Sequence, residues 1–153
     1  MKEKKFQSLN SIYCKISNSN ESLIITLVKT FCVPIAMYAV DALYLNATLL
    51  NSLDYLLYCA FCKIFRTAQK DIIYNCMYYM SIWPMRYEYF FRKIKFLHRL
   101  KKQDNNLLIT CFKKYGNAEL QTLYDRFNIT NKGLDSIKDE IWQCFEATVL
   151  SSD

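Results

Sequence analysis

The chain is 153 residues long, which is enough for one domain with a real hydrophobic core. Hydrophobic residues make up 52% of it, but only 2 Gly and 2 Pro are present to form turns, so we expect helices joined by short polar loops. The net charge of +6 suggests a polyanionic partner.

Seven cysteines, an odd number, occur without a secretory leader, which predicts reduced thiols and an intracellular location. Cys59 and Cys62 have the spacing of a metal or redox pair, but no second pair at ligand spacing follows, so thiols packed in a helix are the favoured interpretation. We expect no metal and no cofactor.

The longest apolar stretch runs from Leu23 to Leu45. It is interrupted by Lys29 and Asp41 and bent by Pro34, whereas a membrane-spanning helix needs about 20 consecutive apolar residues. The sequence therefore predicts no membrane partner.

In chain order, helical periodicity first appears over residues 2–16 and again from Leu23 to Ile35. Pro34 lies inside the second stripe and lacks a backbone donor, so a kink or a break near Val33 is expected.

The central helix is predicted over about 48–66, with Thr48 as its N-cap, and is expected to be among the most buried elements. A shorter helix follows over 70–80, and Pro84 marks the start of another at about 85–102. The residues predicted to point inward from the helix at 70–80 are Ile72, Ile73, Cys76, Met77 and Met80.

Beyond residue 103, a short amphipathic helix is predicted to end at Gly116, acting as its C′ residue. One or two further turns over 120–127 and a last helix from Leu134 complete the pattern. The whole pattern predicts an all-α protein, an irregular bundle of about six to eight helices.

A series of short motifs, in a fixed order along the chain, carries information that helical periodicity alone does not. It begins with Phe31-Cys32-x-Pro34, continues through Tyr38, Asp41-Ala42, Leu45 and Leu53-Asp54, and ends with Phe61-x-Lys63-Ile64-Phe65-Arg66-Thr67. This order resembles the region downstream of the polymerase core in LINE-type non-LTR retrotransposon reverse transcriptases. The chain departs from the family at Ala39, where glycine is usual. The resemblance fades after Gln103.

The resemblance implies a thumb-like helical region at 1–103 and a C-terminal helical extension at 104–153. It also implies that helices at 20–45 and 48–66 grip a primer and template duplex, with Lys63 and Arg66 facing the nucleic-acid backbone. The chain is too short for a complete polymerase and has no two adjacent aspartates, the pair that holds the metal ions in the family. We therefore expect a non-catalytic fragment.

A row of four cations is predicted on the helix at 85–102. Arg92, Lys95, Arg99 and Lys102 are spaced 3, 4 and 3 residues apart, within about 80 degrees on a helical wheel, while Phe90, Ile94 and Leu97 share the opposite side. Such a row could contact successive phosphates without reading sequence. The competing interpretation is a solvated helix face.

Aromatic residues crowd the stretch just before this row, and core packing is the expected role of most of them. Tyr78 and Tyr89 are the ones expected to be exposed, where they could stack on bases. The alternative to a nucleic-acid-binding fragment is a helical protein-interaction module, or a pseudogene-derived remnant without activity, that self-associates through exposed apolar surface.

Overall fold

A computed structural model describes Ser11, Cys14 and residues 20–130 and 133–150. All regular structure in these residues is helical, with no strand among them, which confirms the predicted all-α class. The described helices form six continuous segments, consistent with the six to eight expected. The helix predicted over 2–16 falls outside the described residues, apart from Ser11 and Cys14.

The chain divides into two compact units, Met1–Arg86 and Tyr87–Asp153. The division falls inside one helix, near its start. The predicted boundary between residues 103 and 104 marks where the family resemblance ends, and it stays a prediction.

The first unit opens with helix α1 (Glu21–Leu27), which the Asn20 side chain caps by accepting from the Ser22 amide. A π-helical turn, π1 (Val28–Cys32), joins it to α2 (Val33–Ala36). Of the kink or break expected near Val33, the break does not occur, because the helix continues through Val33; the irregularity is the π-helical turn just before it. Because a π turn already disrupts the regular hydrogen-bond ladder, it can accommodate Pro34, which has no amide hydrogen to donate.

The long helix α3 (Ala47–Phe65) occupies the position predicted for the central helix. Its N-cap is Asn46 rather than Thr48, because the Asn46 carboxamide accepts from the Leu49 amide at 2.9 Å. The helix ends at Arg66, whose backbone is left-handed. Its buried residues make it a principal core element, as expected: Leu53, Leu56, Leu57, Ala60, Phe61 and Ile64.

Helix α4 (Lys70–Tyr79) packs against α3. Ile73 and Met77 are buried as predicted. The prediction was wrong for Ile72 and Met80, which are 44% and 36% exposed. The buried stripe of α4 runs through Ile73 and Met77, Ile72 lies beside it, and Met80 is the residue after the helix.

Helix α5 (Met85–Lys101) follows Pro84 as predicted and enters the second unit. There α6 (Asn106–Cys111), a second π-helical turn, π2 (Phe112–Gly116), and α7 (Asn117–Phe127) form one continuous segment. The last helix is α8 (Leu134–Leu150), which buries its predicted stripe, Ile137, Ile141, Phe145 and Val149.

Gly116 is not the end of a helix, contrary to the prediction. Its backbone is right-handed, with φ −69°, and the chain continues directly into α7. A Cβ at this position would lie 2.6 Å from the Phe112 ring, so glycine is needed here for close packing rather than for a left-handed turn. The left-handed C-cap belongs to Asn128 instead, at the end of α7.

Aromatic packing joins α5 to its neighbours in the second unit. The Phe90 and Phe127 rings meet edge to face at 5.3 Å between centroids, and Tyr87 lies 5.5 Å from Phe145. The Arg126 guanidinium sits 4.5 Å above the Phe90 ring. These contacts fix which side of α5 is turned away from solvent.

Candidate nucleic-acid interface

Helix α5 has the two faces that the sequence predicted. Phe90, Ile94 and Leu97 are buried, at 5%, 0% and 2% exposure. On the polar side Arg99 is exposed, while Arg92 and Lys95 are half-buried; the helix ends at Lys101, so exposed Lys102 lies in the turn that follows it. The cationic row therefore lies on the side of the helix away from the core.

The positive charge of Arg92 is partly neutralised by the carboxylate of Glu88. Its Nε donates to the Glu88 carboxylate at 2.6 Å, one helical turn earlier. By contrast, Lys95, Arg99 and Lys102 form no ion pair with any residue in the described ranges. The strongest part of the row is therefore its C-terminal half.

One cation of this helix is almost wholly excluded from solvent. Lys93 is 4% exposed, and its ammonium group lies 3.2 Å from a Glu119 carboxylate oxygen on α7. The ammonium end of this ion pair is buried and the Glu119 side chain is 30% exposed, so the pair links α5 to α7 at the edge of the core. Lys93 therefore fixes α7 against α5 and cannot reach a phosphate.

Lys63 and Arg66 lie at the C-terminal end of α3, and both are exposed. Arg66 is the left-handed residue that ends the helix, with φ 52°. These two cations belong to the first compact unit, whereas the row on α5 belongs to the second.

The fold places two further lysines near the end of the row. Lys101 on α5 and Lys113 on π2 line one cleft of about 370 Å³, together with Leu100, Ile109, Phe112 and Asn117. Sequence reasoning missed Lys113, because it lies 12 residues beyond Lys101 and only the fold brings the two lysines to one cleft. The run Lys113-Lys114 within a helical pattern was the available signal.

The two tyrosines expected to be exposed have different surroundings. Tyr89 is 3% exposed, so the prediction was wrong there, because its ring packs 5.3 Å from that of Phe90. Tyr78 is half-buried, and its ring meets that of Tyr79 edge to face at 5.5 Å. Tyr79 is 82% exposed and is the aromatic side chain that α4 offers to solvent.

Cys59 and Cys62 are half-buried free thiols on α3. Hydrogen bonding to Cys59 raises the pKa of Tyr55, and hydrogen bonding to Cys62 raises the pKa of Tyr58. Across the described part of the chain, no three His, Cys, Asp or Glu side chains are placed to hold a metal ion. No described helix is both long enough and apolar enough to cross a bilayer.

Comparisons of the chain with protein-family models, with curated proteins and with solved structures found no match.

Proposed function

We propose that this chain is a non-catalytic helical fragment, similar to the thumb and connection of a LINE-type reverse transcriptase, that binds nucleic acid weakly and without sequence specificity. The observation that carries the proposal is the polar face of α5, where Lys95 and Arg99 stand opposite a buried apolar side, together with exposed Lys102 in the turn just after the helix. Arg92 is expected to contribute least to binding, because the Glu88 carboxylate is already paired with it.

The geometry of the row suits phosphates better than bases. Successive cations rise along a helix at about 1.5 Å per residue, so the row extends over several phosphates of a strand. Contacts of this kind provide affinity that does not depend on base sequence. Lys63 and Arg66 are proposed to contribute in the same way, by the resemblance.

A second observation supports the resemblance itself. Ala39 adopts φ 56°, in the left-handed region that glycine occupies without steric cost. This is the position at which the family usually has glycine. The backbone at residue 39 thus has the conformation that the family pattern would favour, although the residue differs.

The test is binding of a fluorescent RNA/DNA duplex at several salt concentrations. The proposal predicts that log affinity falls linearly with log salt, because bound phosphates release counterions. A control with a scrambled duplex sequence should give the same affinity. Binding that is insensitive to salt, or absent at low salt, would contradict the proposal.

We also propose that the chain alone has no polymerase activity, because it contains no pair of adjacent aspartates to hold two metal ions. The purified chain should extend no primer with Mg²⁺ or Mn²⁺. Nucleotide incorporation that persists after contaminating polymerases have been removed would overturn the fragment interpretation.

The second candidate function is protein interaction, and one surface of the first unit favours it. The segment α1–π1–α2 and the turn after it expose a stripe of large apolar side chains: Leu23, Phe31, Ile35 and Tyr38, at 50%, 54%, 53% and 84%. Contiguous exposed apolar residues commonly mark an interaction surface. Self-association through this stripe would make the apparent mass rise with concentration, and Ile35→Lys should abolish it. Leu134→Lys, at an exposed leucine of α8, is the control.

A further inference from the structure

The cleft at the C-terminal end of α5 is lined by both lysine and apolar side chains. Its lining includes the side chains of Ile109 and Phe112, and its two lysines are Lys101 and Lys113. A cleft of about 370 Å³ falls within the range of small-molecule sites, where apolar walls and a few polar groups are the usual composition.

The shape of the cleft depends on the π-helical turn. Phe112 opens π2 and is only 7% exposed, with its ring against Gly116, where no Cβ intervenes. This contact fixes the aromatic wall. π turns interrupt α-helices at functional sites more often than elsewhere, which makes this segment a reasonable place for a binding site.

The side chains indicate what the cleft would accept. Asn117 offers both an amide donor and a carbonyl acceptor, the groups that pair with the edge of a base. The phenyl ring and the aliphatic walls suit the face of a base. Lys101 and Lys113 supply positive charge for the phosphates on either side.

We propose that this cleft accepts one unstacked base of a single-stranded nucleic acid, with Lys101 and Lys113 contacting the flanking phosphates. The proposal rests on the proposed nucleic-acid binding and adds a preference to it: a single strand with bases should bind better than the same sugar-phosphate chain without them. A duplex, whose bases are stacked and paired, could use the α5 row but not the cleft.

The experiment compares two oligonucleotides of equal length and charge, one a single-stranded homopolymer and the other wholly abasic. Contact of one base with the cleft should make the homopolymer bind at least about fivefold more tightly, since stacking one base is worth about 1–3 kcal/mol. The salt slopes should be equal, because the number of phosphates is equal. A 2-aminopurine placed within the homopolymer should change its fluorescence on binding.

Ile109→Trp fills the cleft while leaving both lysines in place, and should abolish the preference for bases without changing the salt slope. Leu107→Trp is the matched control on α6, because Leu107 is 71% exposed and does not line the cleft. If Ile109→Trp loses helical content, Asn117→Leu at the exposed start of α7 replaces it and should reduce the preference.

The outcomes separate the two proposals. If the homopolymer and the abasic chain bind equally, with a normal salt slope, the base site is wrong and the phosphate-binding row stands. If the Ile109→Trp variant still prefers the homopolymer over the abasic chain as strongly as the native chain does, the base is bound elsewhere and the inference is overturned. If neither oligonucleotide binds at low salt, both proposals fail.

Discussion

The Asp54 carboxylate binds Arg86 through two separate contacts. One oxygen accepts from the Arg86 backbone amide at 2.9 Å, and the other accepts from the guanidinium Nε at 2.5 Å. The Asn51 carboxamide oxygen accepts from Arg86 Nη2 at 2.7 Å. A carboxylate on α3 thus satisfies an amide in the first turn of α5, where no intrahelical partner exists. Asp54 therefore has a structural role.

Replacing this carboxylate should destabilise the fold. We expect Asp54→Ala to lower the free energy of unfolding by about 1–3 kcal/mol, because a charge-assisted hydrogen bond and a helix cap are lost together. Urea unfolding followed by circular dichroism measures the change. Asp139→Ala, at an exposed position of α8, should remain within about 0.5 kcal/mol of the native chain. Equal midpoints for the two variants would show that the Asp54 contacts contribute nothing.

At Ala39, whose backbone is left-handed, a substitution should stabilise the fold and not destabilise it. Ala39→Gly should raise the free energy of unfolding by about 1 kcal/mol, because glycine adopts φ 56° without the clash that a Cβ creates. The gain is reduced by the greater freedom of glycine in the unfolded chain. The control is Ala147→Gly in α8, which should lose up to about 1 kcal/mol. A loss of stability at both positions would show that residue 39 is not left-handed in solution.

The cysteines should differ in reactivity. Burial raises the pKa of the Cys76 thiol, and burial together with the nearby Glu140 carboxylate raises that of Cys144. Because the thiolate is the reactive form, a disulfide reagent at pH 8 should modify exposed Cys111 well before Cys76 and Cys144. Mass spectrometry of timed digests identifies the order, and early modification of Cys76 or Cys144 would contradict it.

The raised pKa values of Cys76 and Cys144 also predict how the stability of the fold depends on pH. Because the folded pKa values of Cys76 and Cys144 lie above the ordinary value of 9.0, the unfolded chain loses these protons first as the pH rises. The free energy of unfolding should therefore decrease as the pH rises through about 9, and Cys76→Ala/Cys144→Ala should flatten that decrease. An unchanged slope in the double variant would rule out these thiols as its cause.

Most of the fold could be predicted because its helices carry long apolar periods. The stripes of α3 and α8 are regular enough to identify both the helix and its buried side, as Phe61 and Ile141 show. The errors came where local signals compete. Asn46 and Thr48 are both good caps, and only the hydrogen bond to Leu49 decides between them. Gly116 looked like a helix end because a π turn has no pattern of its own in sequence.

The candidate site was predictable in part, for a related reason. Helical spacing is enough to place Arg92, Lys95 and Arg99 on one face of α5, but it cannot show which cations are already paired or that the helix ends before Lys102. Arg92 is paired within its own helix, whereas Lys93 is paired with a residue 26 positions later in the chain. Such long-range pairing, like the meeting of Lys101 and Lys113 at one cleft, follows from how helices pack and not from their individual sequences.

The central claim is that the polar face of α5 contacts phosphates, and charge reversal tests it most directly. The variant Lys95→Glu/Arg99→Glu leaves Phe90, Ile94 and Leu97 intact, and Lys70→Glu/Lys138→Glu makes the same change in net charge at two exposed lysines elsewhere. Each variant is first checked for native helical content and then titrated with a labelled duplex over a range of salt concentrations.

If the account is right, reversal of Lys95 and Arg99 reduces the steepness of log affinity against log salt by roughly 1.4 to 1.8, since each lost phosphate contact removes about 0.7 to 0.9. The Lys70 and Lys138 variant should then keep a slope close to that of the native chain. If the first variant stays helical and keeps the native slope, or if both variants change it equally, the row on α5 is a solvated face and the central claim is wrong.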